Sequence, residues 1–182
     1  MAATANDNDA SMRLRLLIRS PEETAIAAAA LAGLLNGGDV VSLEGDLGAG
    51  KTCFTAGVVR ALGGTAHVTS PTFVLQKTYD LPGPRLRSVV HYDVYRLADY
   101  TELVDIGFED LDPQSVALVE WGDRFLDDYP RRPLRVSLQV TGEQTRRMMV
   151  QLREPGQRQV LLDALRGRIV PDEEPQPEGR HG

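Results

Sequence analysis

Gly45-Asp46-Leu47-Gly48-Ala49-Gly50-Lys51-Thr52 has the residue types and spacing to hold a phosphate chain. Glycine, four residues, glycine, lysine and threonine make the P-loop pattern, which binds a nucleoside triphosphate with magnesium. Glycines let the backbone curl so that its N–H groups point inward at phosphate oxygens. Lys51 adds a point charge for the outer phosphates, and the Thr52 hydroxyl is a ligand for Mg²⁺. Two flanking segments must position the loop. Val40-Val41-Ser42-Leu43 reads as a short strand before it, and Cys53 to Leu62 as a helix after it, stopped by Gly63-Gly64. That helix turns the positive end of its dipole toward the phosphates.

Three other segments carry groups of the right kind. Ser115 to Glu120 is a continuous apolar run closed by an acid, as expected of a buried central strand whose last residue faces a metal. The same pattern also describes a core strand ending in a surface acid. Thr69-Ser70-Pro71-Thr72-Phe73 is a hydroxyl-rich loop stiffened by Pro71. It reads either as a switch-like segment that senses a terminal phosphate or as an ordinary Ser-Pro turn. In His91-Tyr92-Asp93-Val94-Tyr95-Arg96, Asp93 either orients a water or caps the following residues.

The remaining elements form a frame around these segments. Arg13 to Ile18 reads as a first strand. Ser20-Pro21-Glu22-Glu23 opens a helix with a capping box, whose apolar face runs through Leu34 and Leu35 to a stop at Gly37-Gly38. Phe73 to Tyr79 and Arg87 to Tyr92 read as a hairpin around Leu81-Pro82-Gly83-Pro84. Asp99 to Leu111 reads as helix, broken near Gly107. Alternation over Leu134–Val140 and Met148–Leu152 predicts a second hairpin, and Gln157 to Arg168 a last helix. The expected fold class is α/β: a P-loop NTPase fold with a mixed central sheet flanked by helices. The expected organisation is a disordered N-terminus over 1–11, one ATPase domain over 12–170 and a disordered acidic tail over 171–182.

Composition narrows the function. The chain has 182 residues, 42% of them hydrophobic, and a net charge of −6. Most of the net negative charge lies at the two ends, so the body between them, where acids and bases nearly balance, is nearly neutral, with no basic face for gripping nucleic acid. Arg131-Arg132 and Arg146-Arg147 read as solvated surface. No apolar run has the roughly 20 residues of a membrane span, and residues 1–10 do not resemble a signal peptide. The single cysteine fits a reducing cytoplasm.

Four segments, in this order, resemble the TsaE family of bacterial P-loop ATPases, which take part in making the threonylcarbamoyladenosine of tRNA. They are the P-loop, Thr69-Ser70-Pro71-Thr72-Phe73, His91-Tyr92-Asp93-Val94-Tyr95-Arg96-Leu97 and Val119-Glu120-Trp121. The resemblance covers roughly Ser20 to Pro130. It implies that Asp46, Leu47, Gly48, Ala49, Gly50, Lys51 and Thr52 cradle the phosphates of ATP. It also implies that Thr52 and Glu120 hold Mg²⁺, that Thr72 lies near the terminal phosphate, that Asp93 is a catalytic acid and that Trp121 lies beside the nucleotide. With Lys51, Thr72, Asp93 and Glu120 form the implied catalytic set. The implied partners are TsaB and TsaD, with tRNA reached only through that complex.

Cys53 departs from the family, which commonly has a second threonine there. It still belongs to the expected nucleotide-binding set. Its place at a helix start beside Lys51 predicts a lowered thiol pKa; the other reading is a thiol turned into the core behind the loop. Two rival functions fit the same P-loop. One is a small-molecule kinase, which needs an arginine-bearing lid, for which Arg124, Arg131 and Arg132 are the candidates. The other is a nucleotide-gated docking protein with little hydrolysis.

Overall fold

A computed structural model describes residues 12–172. Seven strands, β1 (Arg13–Ile18), β2 (Val40–Glu44), β3 (Gln76–Asp80), β4 (Ser88–Asp93), β5 (Ser115–Glu120), β6 (Leu134–Val140) and β7 (Arg146–Gln151), form one sheet in the order β1-β7-β6-β2-β5-β4-β3. The centre is parallel: β2 pairs with β5 and β6, and β4 with β5. Both flanks are antiparallel, through β3–β4 on one side and β6–β7–β1 on the other. This is the mixed sheet the sequence predicts.

The central strands are apolar on both sides because helices cover both faces. Alternate residues enter two cores. Val89, Val116 and Leu118 join Leu31, Phe54 and Val58, from the helices α1 (Pro21–Ala32) and α2 (Lys51–Ala61). Val90, Tyr92, Ala117 and Val119 join Leu103 of the short helix α3 (Tyr100–Asp105), with Phe108, Phe125 and Tyr129. A last helix, α4 (Pro155–Leu165), adds Leu161 and Leu165 to the first core.

Ser20 caps the start of α1 as expected, its Oγ accepting from Glu23 N–H at 3.2 Å. The expected capping box does not close, because the Glu23 carboxylate accepts from Arg19 N–H at 2.7 Å, one residue before the cap. The helix end departs from expectation too. The helix stops at Ala32, before Leu34 and Leu35, because a tighter turn competes: Asn36 N–H donates to Asp39 Oδ2 at 2.8 Å. Leu35 is still fully buried, so burial continues where the helix does not. Gly37 is needed later in this turn because a Cβ there would meet Pro113 O at 2.0 Å.

Other boundaries also shift. Phe73, Val74 and Leu75 are not strand. Val74 and Leu75 N–H both donate to Pro71 O, and Leu75 takes a left-handed φ of 62°. β3 therefore begins at Gln76. The Asp99–Leu111 helix shortens to one capped turn and a half, with Asp99 accepting from Glu102 N–H at 3.2 Å and Gly107 at φ 86° beyond it. The last helix begins earlier than expected, at Pro155, where Gln157 Oε1 accepts from Arg153 and Glu154 N–H. Pro171 and Asp172, assigned to the tail by sequence, are held on the sheet. Pro171 bridges Leu16, Asp172 N–H donates to Arg15 O at 2.9 Å, and Arg147 Nε donates to Asp172 Oδ2 at 2.7 Å. The expected disordered segments 1–11 and 173–182 lie outside the described residues.

Candidate functional site

The loop between β2 and α2 is shaped by glycines that no other residue replaces cheaply. Gly45 has φ 131°, and a Cβ there would lie 2.3 Å from Leu138 O. Gly50 has φ 111° at the helix N-cap, with open space around it, so its requirement is conformational. Between them the loop bulges into solvent, and Leu47 is 92% exposed.

β5 brings Glu120 alongside this loop. β2 and β5 run parallel in adjacent positions, with Leu43 opposite Glu120, so both strands end at the same edge. Thr52 Oγ1 there donates to Glu120 Oε1 at 2.7 Å. Next to β5, β4 places Asp93 opposite Glu120. Asp93 Oδ2 accepts from Thr72 Oγ1 at 2.5 Å and from Ser70 Oγ at 3.4 Å, while Oδ1 accepts from Tyr95 N–H at 3.1 Å. The hydroxyl loop is thus tied to the acid at the end of β4.

Lys51 is 4% exposed. Its ammonium donates to Gly45 O at 2.6 Å and to Asp46 O at 3.0 Å, and lies 4.1 Å from the centre of the Trp121 ring. Burial pushes its pKa down, opposed by Glu120 and Asp93. Burial acts to raise the pKa of Glu120. Hydrogen bonds from His91 and Thr52, with the charge of Lys51, outweigh it and hold that carboxyl below its ordinary value. Trp121 follows Glu120 in a left-handed turn, φ 62°, fixed by Trp121 N–H donating to Leu43 O at 2.8 Å. Its ring packs 5.0 Å from that of Tyr95.

These groups line one cavity of about 500 Å³. Leu47, Gly48, Gly50, Lys51 and Thr52 form one wall, Ser70, Thr72 and Asp93 the next, and Tyr95, Glu120 and Trp121 the remainder. Ala49 is buried beneath the loop, and Asp46 meets the site through its carbonyl. The donor set suits a hard cation. Thr52 and Glu120 offer adjacent oxygens, and Mg²⁺ takes one or two protein oxygens together with phosphates and water. Among the described residues, no group of three or more His, Cys, Asp or Glu side chains forms a cage able to hold a metal by itself.

Cys53 lies apart from this cavity. It lines a second one, of about 410 Å³, with Ser20, Pro21 and Arg146 on the reverse of the loop. Burial pushes its pKa up rather than down. Desolvation of the thiolate and the charge of Glu22 outweigh the opposing charge of Arg60, so the direction is opposite to the one the helix start predicts. Arg124, a candidate lid residue, instead tethers the β4 exit, donating to Val94 O and Tyr95 O at 2.7 Å each.

From sequence, His91 has no role, Ser70 only that of one hydroxyl of its loop, and Tyr95 only that of a residue capped by Asp93, a contact present at 3.1 Å. Strand periodicity was the available signal for His91: two residues before Asp93, it must share that face of β4. Arg146, read as surface, donates to Ala49 O at 3.3 Å and braces the P-loop from behind. No local signal marks that contact, because it joins residues far apart in the chain.

The family model described as "Threonylcarbamoyl adenosine biosynthesis protein TsaE" matches residues 18–149. A Treponema pallidum protein named tRNA threonylcarbamoyladenosine biosynthesis protein TsaE is 38% identical over 138 residues, covering 75% of this chain and 99% of the relative. A Bacillus subtilis protein of the same name is 40% identical over 128 residues, covering 70% and 78%. A crystal structure of Bacillus subtilis YdiB aligns with a TM-score of 0.65 at 31% identity, over 85% of this chain and 95% of that one.

Proposed function

Because the chain belongs to the TsaE family, we propose that it is a cytoplasmic Mg²⁺-dependent ATPase serving tRNA threonylcarbamoyladenosine biosynthesis with the partners TsaB and TsaD. The observation that carries the ATPase reading is the 2.7 Å hydrogen bond from the P-loop threonine, Thr52, to Glu120 at the end of the neighbouring parallel strand. It joins the phosphate cradle to the acid that a P-loop site uses for its metal. The pathway comes from the names of the relatives.

Each role follows from chemistry at the cavity. Backbone N–H groups of residues 46–52 and the Lys51 ammonium hold the phosphates, and Thr52 and Glu120 hold Mg²⁺. The metal, when bound, neutralises charge on the phosphate oxygens. Lys51 must leave the carbonyls of Gly45 and Asp46 to reach a phosphate. Asp93 accepts hydrogen bonds from Thr72 and Ser70, so it couples the hydroxyl loop to the water it orients. Trp121 and Tyr95 offer aromatic surface beside the nucleotide. ATP turnover resets the assembly with TsaB and TsaD, and tRNA is reached only through those partners. The engaged Arg124 weighs against the kinase reading.

The test is turnover. The purified chain alone should hydrolyse ATP slowly and only with Mg²⁺, and adding TsaB and TsaD should change that rate, since partners complete or order such sites. A rate indifferent to both partners would remove the assembly from the proposal. Phosphorylation of a small hydroxylated metabolite would favour the kinase.

A further inference from the structure

His91 is fully buried, on a strand paired on both sides. Its Nε2 lies 2.9 Å from Glu120 Oε1, and its Nδ1 has no hydrogen-bond partner among the described residues. Leaving a buried polar atom without a partner is destabilising. The cost calls for an explanation, and the other nitrogen supplies one.

A carboxylate only accepts hydrogen bonds, so Nε2 must carry the proton. The opposite tautomer would set a nitrogen lone pair against the lone pairs of Oε1. Thr52 Oγ1 closes on the same oxygen at 2.7 Å. Among the described residues, both donors to Glu120 therefore meet at Oε1, and Oε2 is the oxygen left for the cavity that Glu120 lines.

We infer that His91 is the positioning residue of the metal site: its Nε2–H, with Thr52, fixes the rotation of the Glu120 carboxylate so that one oxygen is committed to ligation. The role deepens the reading of Glu120 as a Mg²⁺ ligand and rests on it. It is the arrangement in which an outer donor orients an inner carboxylate, and removing such partners typically costs about 10–100-fold in metal affinity. His91 touches neither substrate nor metal.

The test uses the full chain, a β,γ-imido ATP analogue and calorimetric titration at a series of Mg²⁺ concentrations. His91→Leu, which keeps the bulk and removes the donor, should raise the half-saturating Mg²⁺ concentration by about tenfold or more. It should leave Mg²⁺-free binding of the analogue unchanged. His91→Gln, whose amide N–H sits near the position of Nε2–H, should return most of the Mg²⁺ affinity. A folded His91→Leu with the wild-type Mg²⁺ requirement overturns the role, as does a His91→Gln as impaired as His91→Leu. Histidine ¹⁵N spectra of the wild type give a reading that needs no variant to fold: the Nε2–H tautomer is expected at His91, and the Nδ1–H tautomer overturns the role. The two levels fail differently. A wild type that binds no analogue overturns the nucleotide reading and this role together, whereas normal Mg²⁺-dependent binding that His91→Leu leaves untouched overturns the role of His91 alone.

Discussion

Every residue of β4 and β5 is buried, whereas burial alternates residue by residue along β1 and through most of β6 and β7. The first pair is covered on both faces, and the second group forms a wing with one face turned to water. The polar groups follow. His91, Asp93 and Glu120 stand in the covered part, 0–5% exposed, and hydrogen-bond one another or the loop hydroxyls. Arg147–Asp172 stands on the wing, in a pair that water reaches. Exposed pairs of that kind contribute roughly 0–1 kcal/mol, while polar groups held away from water interact strongly and are costly to leave unpaired. The covered strands therefore carry the acids that line the cavity, and the wing completes the sheet and braces the P-loop.

The largest effect should come from the covered part. Lys51→Ala should lower ATP hydrolysis about 10²–10³-fold, as loss of one preorganised charge stabiliser does. It should leave the fold intact, because the lysine gives up solvation on burial and gains only two carbonyl contacts and the indole face. Circular dichroism and steady-state turnover check both parts. Near-normal turnover by a folded variant would erase the functional distinction between the two regions.

A wing substitution should show the converse. Ile18→Val removes one methylene at a fully buried position of β1, which should cost about 0.5–1.5 kcal/mol of stability. Turnover per folded molecule should stay at the wild-type value. Chemical denaturation gives the first quantity. A loss of turnover larger than the loss of folded protein would show that the wing reaches into the chemistry.

The smallest effect belongs to the border. Cys53 faces the second cavity, between α1 and the β6–β7 turn. Its raised pKa means that the thiol form dominates at neutral pH. Alkylation should therefore be slow near pH 7 and quicken by about tenfold per pH unit until the raised pKa is passed. Bound Mg²⁺–ATP should slow it little if it fills the cavity lined by Lys51 and Thr52, because Cys53 lines the other one. Strong protection by nucleotide at fixed pH would place the thiol on the phosphate side.

The sequence made the site more legible than its frame. A P-loop, an acid after an apolar run, a hydroxyl loop and Asp93 are local patterns, and the fold gathers them into one cavity. What the pattern misplaced was decided by partners far along the chain. Leu34 and Leu35 continue the periodicity of α1, yet the carboxylate of Asp39 ends the turn there. Phe73 and Val74 have strand composition but lie 90% and 60% exposed, because Pro71 O draws the chain into a turn and Asp93 N–H holds Leu75 O at 3.0 Å. The pKa of Cys53 was misjudged for a related reason: position on a helix is visible in sequence, and desolvation by a neighbouring element is not.

Trp121 is the only tryptophan of the chain, and the Lys51 ammonium rests on its ring. The indole therefore supplies all of the tryptophan emission, with no second ring to dilute it. A cation at the ring face perturbs the excited state, so the brightness and colour of that light depend on where Lys51 is. A ligand that draws the lysine off the indole changes the spectrum, and the phosphate cradle carries its own optical probe without any label.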